Sequence, residues 1–93
     1  MARKPGPPPQ DLIDKVWDKG MPIPGKNPEV HRRDPYGNPI YKPSFGKEGD
    51  KSWEIDHKKP VSKGGTDDLR NLQPVQTETN REKGDKYPFK PKP

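Results

Sequence analysis

Leu12, Ile13, Val16 and Trp17 place apolar side chains on one stripe of residues 10–19 (QDLIDKVWDK), which predicts a helix with a packing face. Gly20 stands where a C-terminal cap belongs. Proline and glycine through 21–28 (MPIPGKNP) predict an irregular linker. Residues 30–33 and 39–42 flank Asp34-Pro35-Tyr36-Gly37-Asn38. There Pro35 presets φ at the second turn position and Gly37 or Asn38 tolerates positive φ, so a β-hairpin is predicted. Residues 43–51 read as a polar loop. From 52 to 61 the period changes to two: Trp53, Ile55, His57 and Lys59 share one face, while Glu54, Asp56 and Lys58 share the other. That is a half-buried strand ending at Pro60, with Trp53 and Ile55 in the core. Residues 62–68 (SKGGTDD) form a loop that reverses at Gly64-Gly65. Residues 69–75 read as one helical turn and a short return strand. Thr77 is placed to cap a short helix, TETNREK, closed by Gly84.

Composition limits what such elements can bury. Leu, Ile, Val and Phe number 13 in 93 residues, against 15 prolines and 9 glycines, and mean hydropathy is −1.48. These values lie close to those of disordered chains, so a folded domain of this size needs a further staple. With no cysteine, disulfides and Cys-based zinc sites are excluded. A metal held by oxygen or imidazole ligands is one remaining staple. No apolar run approaches the roughly 18–20 residues of a membrane span, and the start MARKPGPPP lacks the apolar core of a signal peptide. The expected layout is 1–27, a basic Pro/Gly-rich leader with a short helix; 28–86, a compact core; and 87–93 (YPFKPKP), a Pro-rich basic tail. Residues 1–9 are expected to form an extended arm. A net charge of +5 points to a polyanionic partner, although charge for solubility alone gives the same number.

The chemistry-bearing residues cluster in 53–84: Asp56-His57, then Asn71, Asn80 and Lys83. A carboxylate and an amide carbonyl are hard oxygen donors suited to a divalent cation that keeps several waters. On a regular strand Asp56 and His57 point to opposite faces, so a bend or bulge near Pro60 is needed to bring them to one site.

WEIDHKKPVSKGGTDDLRNLQPVQTETNREKG resembles the motif of the HNH endonucleases, the ββα-metal or His-Me finger family. The likeness rests on the D-H pair, the proline three residues after the histidine, the S-x-G-G loop, the N-L dipeptide and the N-x-x-K-G ending. It covers about 32 of 93 residues, and RRDPYGNPIYKPSFG before it is similar to the hairpin that leads into the motif. The resemblance implies Asp56 and Asn80 as metal ligands, His57 as the general base on water, and Asn71 as the residue tying the loop to the His backbone. It places Lys83 near the substrate phosphate, and Arg33, Arg81 and Lys58 are further candidates for phosphate contact. His31 matches no motif position. Where many members end on histidine this chain has Asn80, which favours Mg²⁺ or Mn²⁺ over Zn²⁺; Mg²⁺ comes first, and Mn²⁺, Ni²⁺ and Zn²⁺ stay open. The CxxC pairs of many members are missing, leaving the hairpin and helix 10–19 to replace a zinc ribbon.

The expected protein is thus a small α+β ββα-metal module with an N-terminal helix and hairpin extension. It would be a monomer cutting DNA in preference to RNA with little sequence specificity, and nothing in it resembles a major-groove recognition helix. Two settings suit it: a bacterial toxin domain, secreted and then neutralised by an acidic immunity protein, or a phage or mobile-element nuclease. The rivals are a non-catalytic nucleic-acid-binding module on the same fold and a disordered basic linker.

Overall fold

The computed structural model describes residues 7–91; the start of the leader and the last two residues of the tail, to which the extended-arm and tail expectations partly apply, lie outside it. The order of elements is α1 (Gln10–Trp17), β1 (Met21–Pro22), β2 (His31–Arg33), β3 (Pro39–Tyr41), β4 (Trp53–His57), β5 (Leu72–Gln76) and α2 (Thr77–Lys83). It is an α+β arrangement of two antiparallel sheets, β1-β2-β3 and β4-β5. β4, β5 and α2 run consecutively, as the ββα reading expects.

The core is small and built around two tryptophans. The stripe of α1 buries Ile13, Val16 and Trp17 against Ile40, Trp53 and Leu72, with Val75 also buried nearby. The Trp17 and Trp53 ring centroids are 5.2 Å apart. Each indole N–H donates to a loop carbonyl, Trp17 Nε1 to Pro28 O at 3.0 Å and Trp53 Nε1 to Lys42 O at 3.1 Å. So large a ring is buried here without an orphaned donor. Because α1 shares this core with both sheets, it is not an appendage of the leader.

Hydrogen bonds supply the staple that apolar area cannot. Asp34, fully buried in the hairpin turn, accepts Tyr36 N and Asn38 N on Oδ1 (2.9 and 2.8 Å) and Asn38 Nδ2 and Gln76 N on Oδ2 (3.1 and 2.9 Å). A buried carboxylate is tolerated only with such a donor set. This one fastens the hairpin to the start of α2. Arg32 donates to Pro28 O, Asp18 O and Gly20 O, and so clamps the end of α1 to β2.

Several local expectations are corrected. The 21–28 linker contains β1, whose Pro22 is accommodated because the strand lies at a sheet edge. Gly20 is not a left-handed cap: a Cβ there would lie 3.0 Å from Arg32 Cβ, a tight contact that glycine avoids. Phe45 in the "polar loop" packs edge-on against Trp53, 4.9 Å between centroids. Thr77 does not cap α2; Gln76 takes that position, and Thr77 Oγ1 is buried with no hydrogen-bond partner. The tail folds back, with Phe89 against Tyr36 at 5.6 Å.

Candidate active site

β4 and β5 pair without interruption from Trp53↔Gln76 to His57↔Leu72, so no bulge brings Asp56 and His57 together. They meet in another way. Ile55, Asp56 and His57, three successive residues, all line a cleft of about 420 Å³ together with Pro60, Val61, Asn80, Arg81 and Gly84. Among the described residues, β4 beyond the bridge from Phe45 to Trp53 pairs with β5 alone, which leaves its other edge open. α2 covers the far side. Asn80 Nδ2 donates to Glu54 Oε1 at 2.9 Å, which leaves the amide oxygen as its accepting atom.

Asp56 is 6% exposed. Its Oδ2 accepts Gln73 Nε2 from the opposite strand position at 2.8 Å, and its Oδ1 accepts Lys83 Nζ at 3.1 Å. Lys83 is 2% exposed and also donates to His57 O at 3.0 Å. This corrects the expectation that Lys83 meets substrate phosphate. Its ammonium is spent inside the protein on the carboxylate beside it and on the open edge of β4.

His57 reaches a residue the sequence did not single out: its Nε2 lies 2.6 Å from Asp67 Oδ1. Asn71 closes the intervening loop. Its Oδ1 accepts Lys59 N at 3.0 Å, and its Nδ2 donates to Lys59 O and Thr66 O at 3.1 and 2.7 Å. The two loop glycines serve different needs. Gly64 has φ +91°, while a Cβ on Gly65 would lie 1.8 Å from Lys59 O, where no side chain fits.

Of the basic candidates, only Arg81 lines the cleft. It is held bidentate by Glu48 at 3.0 and 2.6 Å; this pairing raises the guanidinium pKa and lowers that of the Glu48 carboxyl. Arg33 turns back to Gly37 O, and Lys58 is exposed outside the cleft lining. His31 stays in the hairpin, stacked on Tyr41. Tyr36, 3.4 Å from Gln73 Nε2, has its phenol pKa pushed up, first by burial and further by Asp56 and Asp34, so it remains a neutral hydroxyl.

Asp67 carries no signal in a single sequence that separates it from Asp68. Gln73 was findable, because pairing β4 with the return strand sets it opposite Asp56.

The donors in the cleft suit a hard divalent cation. Asp56 and Asn80 offer a carboxylate and an amide oxygen, and each Asp56 oxygen keeps lone-pair capacity beyond its one hydrogen bond. Among the described residues no three His, Cys, Asp or Glu side chains gather at a point.

Residues 44–86 match the family model described as HNH endonuclease. No curated protein and no solved structure matches the chain.

Proposed function

Since residues 44–86 match the HNH endonuclease family model, we propose that this cleft hydrolyses DNA phosphodiester bonds with a divalent cation, Mg²⁺ first, held by Asp56 and Asn80. One observation carries the reading: Asp56, His57 and Asn80, from a strand and a helix, line a single cleft. Neutral His57 takes the proton of the attacking water, a contribution typically worth ~10²–10⁴-fold. Arg81 exchanges Glu48 for a phosphate oxygen at the rim, and bidentate geometry suits that exchange. Lys83 holds Asp56 and the end of β4 in place. When bound, the cation supplies charge stabilisation to the phosphoryl oxygens and the departing 3′-oxygen. Lys58, Lys59, Lys63 and Arg70 lie exposed along the loop after β4, which suits sequence-independent, salt-sensitive attraction to a phosphate backbone.

Incubation with supercoiled plasmid tests this. Nicks that a DNA ligase reseals should accumulate with Mg²⁺ and stop when the metal is chelated. A parallel RNA substrate should be cut more slowly. Retention of plasmid with no cleavage in Mg²⁺, Mn²⁺, Ni²⁺ or Zn²⁺ would favour the non-catalytic binding module.

A further inference from the structure

The loop between β4 and β5 is built so that one of its two adjacent carboxylates meets the His57 ring. Asn71 fastens both ends of 59–66, bonding Lys59 on one side and Thr66 O on the other, and Thr66 immediately precedes Asp67. Asp68 is turned elsewhere: its Oδ2 accepts Thr66 Oγ1 at 3.1 Å and lies 3.6 Å from Arg70 Nη2. Asp67 Oδ1 is left at 2.6 Å from His57 Nε2, a short contact of the kind made by a charged acceptor.

A carboxylate cannot donate when ionised, so the ring nitrogen facing it carries the hydrogen. That fixes the neutral imidazole with its hydrogen on Nε2 and the lone pair on Nδ1, and it fixes the ring plane about the remaining bond. We propose that Asp67 is a positioning residue for His57, holding the ring in the tautomer whose Nδ1 accepts the proton of water in the cleft. Asn71 then acts on the reaction at one remove, by setting the register of Asp67 against the ring. The proposal rests on the reading of His57 as the general base.

The test compares Asp67→Ala, Asp67→Asn and Asp67→Glu with His57→Ala in the full chain. It measures plasmid cleavage kinetics and the ¹⁵N shifts of the His57 ring with the imidazole neutral. Asp67→Ala is expected to lower kcat at least about tenfold with KM within about twofold, and to convert one ring tautomer into a mixture. Asp67→Glu should recover much of both signals, which a merely structural role for the loop would not produce. Should the alanine variant fail to fold, Asp67→Asn preserves volume and carries the same readouts.

If His57→Ala is inactive while Asp67→Ala or Asp67→Asn keeps wild-type kcat and a single tautomer, the positioning role is overturned and the base assignment stands. A rise in KM alone would make Asp67 a substrate contact and also overturns the proposal. Wild-type cleavage by His57→Ala overturns the assignment of the base, and Asp67 with it.

Discussion

Replacing His57 with alanine is expected to slow plasmid cleavage by ~10²–10⁴-fold while leaving the chain folded. The imidazole side chain is 23% exposed and its hydrogen bond goes to a loop carboxylate, so its loss opens no large cavity. The stability change should stay within about 1 kcal/mol. Divalent binding should survive, because Asp56 and Asn80 remain. Asp56→Ala behaves differently: it removes a proposed ligand and leaves the Lys83 ammonium buried without its counter-charge. Cleavage rates at equal protein concentration, beside a denaturation curve for each variant, separate the two. A His57→Ala protein that cuts at the wild-type rate would refute the base assignment.

Lys83→Met should cost about 3–5 kcal/mol, because it strands the Asp56 carboxylate in the interior. The side chains of Lys83 and Asp56 are 2% and 6% exposed, so solvent screens this pair little. A buried pair replaced on both sides by apolar groups is often neutral in stability, so Asp56→Leu combined with Lys83→Met should regain much of the loss while remaining inactive. Urea midpoints for the two single variants and the double variant measure this directly. A Lys83→Met midpoint equal to wild type would show that the ion pair does not hold α2 on β4.

Lys83 also shows where sequence reading reaches its limit. A lysine near the end of a short helix reads as exposed, since lysines are almost never buried unpaired. Its burial depends on Asp56, 27 residues earlier, arriving at the same spot, and no local pattern encodes that meeting. The same holds for Asp34, whose role as a buried acceptor depends on Gln76 N, 42 residues away.

Features governed by local physics were legible. Alternation marked β4, the glycine pair marked the reversal, and the heptapeptide 77–83 was a helix of the expected length. The helix face was also legible, with Ile13, Val16 and Trp17 turned inward. Errors arose where tertiary contact overrode local preference. Met21–Pro22 became strand because β2 offered an edge, Gly20 lies in close contact with Arg32, and Phe45 found Trp53 from within a polar stretch. Strand alternation set Asp56 and His57 apart, yet both line one cleft.

Addition of substoichiometric Mn²⁺ to the ¹⁵N-labelled protein, with amide signals followed by NMR, tests most directly whether residues distant in the chain share one ion. Paramagnetic broadening should appear first at 55–57 and 80–84, the two segments that face each other across the cleft. Broadening that begins instead around Glu48, Asp50 and Glu78, or that spreads evenly over the acidic surface, would contradict a metal site built from Asp56 and Asn80.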